Sequence, residues 1–210
     1  MCWGKPERIR MDNGTPWGTQ GRLPSALGLW LVGLGIDLIY GRPRHSTDNA
    51  IVERHHGVLA KWVEAEACPD FQSCQQHVDW AVITQRDRYR SPHGYTRAHT
   101  FPDLFTNRRI YVTEQDHLEW SRERVALYLS DFIFHRKVEI NGQITLFANT
   151  YSLGKRYARQ LIQVTFDPNT YEWCFTDEQA HSIRRHPTKE LFYEPISQLQ
   201  LAKRRRIDLT

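Results

Sequence analysis

Residues 29–45 read LWLVGLGIDLIYGRPRH, a helical apolar pattern that leads directly into a short strand pattern. Apolar residues between Leu27 and Leu34 recur at spacings of three and four, which predicts a helix that ends at Gly35. The run from Ile36 to Tyr40 is short and apolar, and a loop-forming sequence follows it, so it predicts a strand. We therefore expect an α/β arrangement in this part of the chain.

The segments on either side extend this pattern. Upstream, Arg8–Met11 predicts a short strand that ends at Asp12, because Asp12-Asn13-Gly14 is a turn-forming sequence. Downstream, residues 41–49 form a loop by composition, and a helix is predicted from Ala50 to about Ala67. Glu53 lies in the first turn of that helix, outside its apolar stripe. The sequence therefore predicts one carboxylate at a strand end and one on an exposed helix face.

The second half of the chain has a different texture. A helix is predicted from about Phe71 to Tyr89, residues 91–113 resemble a linker, and a further helix is predicted over Asp116–Leu129. Four strand-like runs follow: Phe132–Ile140, Gln143–Phe147, Leu161–Phe166 and Tyr171–Thr176. Asn141-Gly142 predicts a two-residue hairpin turn between the first two runs. Short strands at this spacing predict a small all-β barrel.

The overall composition excludes several classes of protein. The chain has 210 residues, of which 40% are hydrophobic and 25% charged, so disordered chains, collagen and disulfide scaffolds are excluded. No apolar stretch reaches the roughly 18 residues of a spanning helix, and the N-terminus lacks the apolar run of a signal peptide. We expect no membrane segment and a cytoplasmic location. The four cysteines have no CxxC spacing, which favours reduced thiols and does not indicate zinc.

The positive charge of the chain is concentrated at its end. The formal net charge is +4. Lys203-Arg204-Arg205-Arg206 alone carries this excess, so the rest of the chain sums to zero. Such a tail is either solvated or in contact with phosphate. The net charge by itself does not identify a nucleic-acid-binding protein.

Asp12 and Glu53 are the candidate residues with the most specific chemistry. Carboxylates from a strand end and from a helix can converge on a divalent metal ion at the edge of a sheet. The alternative is that both are surface acids. Asp12 would then shape a turn, and Glu53 would favour the positive end of a helix.

Three stretches of the chain resemble a known family. RMDNGTPWG (10–18), LWLVGLGIDLIYGRPRH (29–45) and STDNAIVERHHGVLAKW (46–62) resemble the DDE transposases of bacterial insertion sequences, which are related to retroviral integrase. RKVEINGQITLFANTYSLG (136–154) more loosely resembles the family's C-terminal barrel of Src-homology-3 type. The resemblance thus covers the whole chain.

The resemblance implies a fold, a reaction and a set of site residues. It implies a partial ribonuclease-H-like integrase core followed by a small all-β barrel, with Asp12 and Glu53 as the second and third catalytic carboxylates. In the family these carboxylates hold Mg²⁺ or Mn²⁺ for DNA strand transfer. The family's first aspartate lies on a strand upstream of Asp12, which this chain does not contain. We therefore expect an incomplete metal site in this chain alone.

The same resemblance implies the domain organisation and the partners. We expect a truncated core at 1–90, a basic linker at 91–113, a small β-barrel domain at 114–202 and a basic tail at 203–210. The expected partners are DNA and either further copies of this chain or a full-length transposase, with no membrane. The expected location is the bacterial cytoplasm, in association with the nucleoid.

Basic residues near Glu53 and at the end of the second helix are the predicted DNA contacts. They are Arg54, His56, Lys61, Arg86, Arg88 and Arg90. The alternative is an ordinary polar helix surface. A second functional hypothesis uses the same residues without catalysis. In that case the chain is a nucleic-acid-binding or oligomerising inhibitor of a full-length transposase.

Overall fold

The computed structural model describes residues 4–14, 23–42, 45–90, 93–106 and 109–197, and its architecture is mixed α/β. The described strands are β1 (Arg8–Met11), β2 (Asp37–Tyr40), β3 (Phe134–Lys137), β4 (Gln143–Leu146), β5 (Asn149–Ser152), β6 (Leu161–Asp167), β7 (Glu172–Thr176) and β8 (Ser182–Pro187). The described helices are α1 (Ala26–Gly33), α2 (Ala50–Val63), α3 (Phe71–Ile83), α4 (Arg97–Thr100), α5 (Asp116–Glu119), α6 (Arg122–Ser130) and α7 (Tyr193–Ser197). The predicted basic tail at 203–210 lies outside the described residues.

The chain divides into two compact units that are not consecutive in sequence. The helical unit comprises Met1–Pro6 and Gly41–Tyr111, and it contains α2, α3 and α4. The sheet unit comprises Glu7–Tyr40 and Val112–Thr210, and it contains the described strands and the remaining helices. The domain order predicted from the sequence stays a prediction.

The first strands and helix of the sheet unit confirm the local predictions. β1 and β2 pair in parallel, with Arg8 opposite Asp37 and Met11 opposite Tyr40. α1 begins after Ser25, whose hydroxyl accepts a hydrogen bond from the Gly28 amide at 3.1 Å. The β1–β2 pair and α1 therefore form where hydrophobic periodicity indicated them.

The single helix predicted over Asp116–Leu129 is two helices. Ser121 has an extended backbone, with φ −115° and ψ 120°, and its side chain caps α6 by accepting from the Arg124 amide. The Ser121 amide also donates to the Gly33 carbonyl at 2.9 Å. A Cβ on Gly33 would lie 1.9 Å from Nε1 of Trp120, so only glycine fits this close approach of α1. The break thus allows the chain to lie against the end of α1.

The prediction of a small all-β barrel is wrong, because the strands do not form a closed sheet. The strands form a four-stranded antiparallel sheet in the order β3-β6-β7-β8 and a separate hairpin of β4 and β5. None of the sheets in the described residues closes on itself. The sheet, the hairpin, α1, α6 and α7 share one apolar core, in which Trp173, Tyr151 and Phe175 are fully buried. The four-stranded sheet and the β4–β5 hairpin thus bury their apolar side chains against each other without forming a closed barrel.

A turn forms at Asn141-Gly142, where the Gly142 amide donates to the Glu139 carbonyl at 2.9 Å, but the predicted hairpin between the strands on either side is wrong. β3 pairs with β6, and β4 turns back on β5 through Phe147 and Ala148. These two residues have φ of 47° and 66°, the positive values that a two-residue hairpin turn requires. Positive φ values in a two-residue turn are expected for Asn and Gly, not for Phe and Ala. The residue types Phe and Ala therefore do not predict this strained turn.

A buried carboxylate links the hairpin to the four-stranded sheet. Glu190 Oε2 accepts hydrogen bonds from the Tyr151 hydroxyl at 2.7 Å and from the Lys189 amide at 3.0 Å. Its Oε1 accepts from Trp173 Nε1 at 3.0 Å. Burial nevertheless raises the pKa of Glu190, because these hydrogen bonds only partly replace the lost hydration.

The helical unit has a much smaller core. α2 stops at Val63, short of the predicted Ala67, because Glu64 takes a left-handed backbone with φ 46°. α3 starts after Asp70, whose carboxylate accepts from the Ser73 amide, and it continues as a π-helical turn over Thr84–Arg88. Phe71 remains 82% exposed. Much of the apolar surface of this unit is therefore in contact with solvent.

We expect Ala148→Gly to stabilise the protein. An L-residue in the left-handed region costs about 1–2 kcal/mol, and glycine avoids most of this cost. Urea unfolding should show an increase of about 1 kcal/mol in the free energy of unfolding. Ala26→Gly in α1 of the same unit is the matched control and should lower that free energy by up to about 1 kcal/mol. A destabilised Ala148→Gly protein would contradict the strained turn.

We expect Glu190→Gln to change how stability depends on pH. The folded-state pKa of Glu190 is raised, so the wild-type protein loses stability as pH rises from the ordinary value of about 4.3 through the raised value. The variant lacks this loss. The wild-type advantage in free energy of unfolding should therefore shrink across that window and be flat on either side. Glu178→Gln, at an exposed turn, is the control, and a pH-independent difference for Glu190→Gln would contradict the assignment.

Candidate functional site

Asp12 lies directly after β1 with an exposed side chain. Its Oδ1 accepts a hydrogen bond from the Asn13 amide at 2.7 Å, and its Oδ2 accepts from the Gly14 amide at 3.2 Å. A Cβ on Gly14 would lie 2.8 Å from Oδ2, so the turn is tight around the carboxylate. The prediction of an aspartate turn at a strand end is confirmed. The carboxylate is fixed in direction by backbone amides.

Glu53 lies in the first turn of α2 and is exposed. Gly57 and Lys61 follow at successive spacings of four, so the three residues share one solvent-facing side of the helix. Gly57 has no atom within 4 Å of an added Cβ, which leaves the backbone open on this side. Arg54 and His56 are also exposed. The predicted side chains of α2 therefore reach solvent, as a binding role requires.

An ion pair closes the loop that leads into α2. Nη2 of Arg42 donates to Asp48 Oδ1 at 2.8 Å, and its Nε and backbone amide donate to Oδ2 at 3.2 and 2.8 Å. The Asp48 side chain is only 14% exposed. These bonds hold the pKa of Asp48 well below its usual range. Asn49, the residue before α2, makes no side-chain bond to the helix, so the Arg42–Asp48 pair is a polar contact that holds the start of α2.

His55 connects α2 with the segment after α3. Its side chain is half-buried, and Nδ1 is buried without a hydrogen-bond partner. Burial lowers the pKa of His55, and the nearby charges of Arg97 and His56 lower it further. The imidazole is therefore neutral at pH 7 and acts in packing, whereas His56 faces solvent.

The three predicted arginines after α3 differ in their surroundings. Arg86 Nε and Nη2 donate to the two oxygens of Asp87 at 2.7 and 2.8 Å, so its charge is locally balanced. Arg88 and Arg90 are exposed and form no ion pair with the described residues. Arg88 also lies near the Asp87 carboxylate and helps to lower its pKa. Both Arg88 and Arg90 thus present positive charge to solvent.

Aromatic residues next to these arginines were missed by the sequence analysis. An antiparallel bridge pairs Arg90 with Thr96, and Thr96 caps α4 by accepting from the His99 amide at 3.2 Å. The rings of Tyr95 and His99 stack with centroids 4.8 Å apart and planes 8° apart. The signal was present in the alternation of aromatic and basic residues over 89–99.

The predicted site residues are divided between the two units. Glu53, Arg54, His56, Lys61, Arg86, Arg88 and Arg90 belong to the helical unit. Asp12 belongs to the sheet unit, so its pairing with Glu53 stays a prediction. Among the described residues there is no group of three or more His, Cys, Asp or Glu side chains that could hold a metal ion.

The sequence was compared with models of known protein families, and none of them matches it. Within the described part of the chain, no helix is both long and apolar enough to cross a membrane.

We expect Asp48→Asn to loosen the start of α2. The folded pKa of Asp48 is lowered, so its contribution to stability is present above the unfolded value of about 3.9 and is lost as pH falls through the lowered value. At pH 7, hydrogen–deuterium exchange over residues 54–58 should be several-fold faster in the variant. Glu66→Gln, an exposed acid of the same unit, is the control. Equal exchange in all three proteins would contradict the role of the ion pair.

Proposed function

We propose that this chain acts in DNA integration or transposition, as part of a DDE-type transposase with a ribonuclease-H-like core. The observation that carries the proposal is the local setting of its two carboxylates. Asp12 ends a strand of a parallel pair, and Glu53 opens an exposed helix face. These are the two settings that the resemblance to DDE transposases requires. The match of motif and local structure favours this family over an unrelated α/β protein.

Asp12 and Glu53 would hold Mg²⁺ or Mn²⁺. Both are carboxylates, and oxygen ligands suit these hard ions. Two carboxylates supply only part of the octahedral set of oxygen ligands that Mg²⁺ requires. A bound Mg²⁺ would stabilise the charge that develops during phosphoryl transfer. We therefore propose that further ligands come from another polypeptide or from residues outside those described.

The chain's own residues would orient the carboxylates and bind the DNA backbone. The Asn13 and Gly14 amides fix the direction of the Asp12 carboxylate, and the Arg42–Asp48 pair fixes the helix that carries Glu53. Lys and Arg side chains bind phosphate without reading sequence. We propose that the exposed residues Arg54, His56, Lys61, Arg88 and Arg90 bind phosphate in this way. Arg86 is also proposed as a DNA contact, and its side chain is held by Asp87.

A second candidate function uses DNA binding without catalysis. The chain would bind nucleic acid or oligomerise with a full-length transposase and thereby inhibit it. The observation that favours this candidate is the location of the charges. The proposed phosphate contacts all belong to the helical unit and need no contribution from Asp12. Binding could therefore persist where the metal site is incomplete.

We expect Asp12→Asn and Glu53→Gln each to abolish metal-dependent strand transfer. Both changes preserve side-chain shape but remove the negative charge that offsets dehydration of Mg²⁺. Joining of a labelled oligonucleotide to plasmid DNA should fall by about a hundredfold or more. Binding of duplex DNA, measured by fluorescence anisotropy, should change by less than about twofold. Glu66→Gln and Asp79→Asn are matched surface controls and should retain the wild-type activity.

Two results would separate the candidate functions. Equal strand transfer by the wild-type protein and both carboxylate variants would contradict the catalytic assignment. Salt-sensitive DNA binding without strand transfer, together with inhibition of a complete DDE transposase, would favour the non-catalytic function.

A further inference from the structure

The described residues of the 84–101 segment combine strong positive charge with exposed aromatic rings. The segment contains four arginines, at positions 86, 88, 90 and 97, and its only acid is Asp87. Its three aromatic residues, Tyr89, Tyr95 and Phe101, are 58%, 56% and 57% exposed. Exposed aromatic rings next to exposed arginines suit a ligand that is both anionic and aromatic.

Local structure holds these rings in place. The π-helical turn over Thr84–Arg88 leads into the bridge between Arg90 and Thr96, and α4 follows directly. Arg97 Nη1 donates to Oε1 of the buried Gln85 at 3.4 Å, which ties α4 back to the π-helical turn. Such π-helical turns are frequent at functional sites. These contacts tie the described residues of the segment to one another within the helical unit.

Tyr95 is the best-placed ring for stacking. Its ring and that of His99 are nearly parallel, with centroids 4.8 Å apart and planes 8° apart. The His99 ring covers one face of Tyr95, and Tyr95 as a whole remains 56% exposed. Tyr89 is held edge-on by Trp62 at 5.8 Å and remains more than half exposed.

We propose that this surface binds single-stranded DNA, with an unpaired base stacked on Tyr95 and phosphates contacted by Arg88 and Arg90. Within a duplex both faces of a base are covered by its neighbours, whereas the bases of a single strand are free to stack on an aromatic side chain. The arginines supply the sequence-independent attraction for the backbone. This inference rests on the proposed role in DNA transposition and specifies the form of DNA that the helical unit recognises.

The test compares binding of a labelled 20-nucleotide oligothymidylate with binding of a 20-base-pair duplex to the full chain, by fluorescence anisotropy. Tyr95→Ala should weaken binding of the single strand by about tenfold and duplex binding by less than about twofold. Tyr95→Phe keeps the ring and should bind like the wild-type protein. Phe71→Ala removes an exposed aromatic side chain elsewhere in the helical unit and should change neither affinity.

The arginines give a second, independent measurement. Arg90→Gln should weaken binding of both DNA forms and reduce the slope of log affinity against log salt by about 0.7 for the single strand. Circular dichroism of Tyr95→Phe and Tyr95→Ala should coincide, because the Tyr95 side chain is exposed.

Several outcomes would overturn the inference. These are equal weakening of single-strand and duplex binding by Tyr95→Ala, no weakening of either, or tighter binding of oligouridylate than of oligothymidylate. The proposed function fails by a different readout. A protein that performs carboxylate-dependent strand transfer without Tyr95-dependent single-strand binding overturns this inference alone. Tyr95-dependent single-strand binding without strand transfer supports this inference and overturns only the catalytic role.

Discussion

Burial of the Glu190 carboxylate between Tyr151 and Trp173 is the constraint on which the sheet unit depends. A buried carboxyl is tolerated only when its oxygens are hydrogen-bonded, and here the donors come from β5, from β7 and from the backbone next to Glu190. The residues directly after Glu190 lead into α7, which packs against α1. α1 in turn packs on β2, and β2 pairs with β1, the strand that ends at Asp12. The position of the strand that precedes Asp12 thus depends on packing that is remote from it in sequence.

The helical unit is stabilised in a different way. Its buried apolar residues are few, including Val63 and Ala81, and polar contacts at helix ends account for much of its order. The Arg42–Asp48 pair precedes α2, and the Asp70 side chain caps α3. A small core leaves large side chains at the surface, and in this unit several of them are aromatic. The small core limits the stability of this unit. It also leaves aromatic side chains exposed, which makes the surface suitable for contact with a flat, charged ligand.

Local sequence signals predicted the first three helices and the first two strands well, because periodicity acts over a few residues. The pattern indicated the correct positions of β1, β2 and α1 and of the central residues of α2 and α3. Strand pairing could not be predicted in the same way. Asn141-Gly142 has the composition of a hairpin turn, but the β4–β5 turn forms at Phe147 and Ala148, where burial of Phe147 against Trp173 accompanies the positive φ values. Packing between distant residues outweighs turn propensity there, and no short-range signal reports it.

The candidate site shows the same limit. The turn at Asp12 and the exposed position of Glu53 follow from local sequence, whereas the proposal that both bind one metal ion does not follow from any local signal. The proposed DNA contacts do not require residues from both units. His55 of α2 lies near Arg97 of α4, so the helix that carries Glu53, Arg54 and Lys61 belongs to the same packed unit as the Tyr95–His99 stack. The proposed phosphate contacts therefore all belong to one unit, whereas the two proposed metal ligands belong to different units. Nucleic-acid binding is consequently the more robust of the two proposed properties, since it depends on fewer long-range contacts.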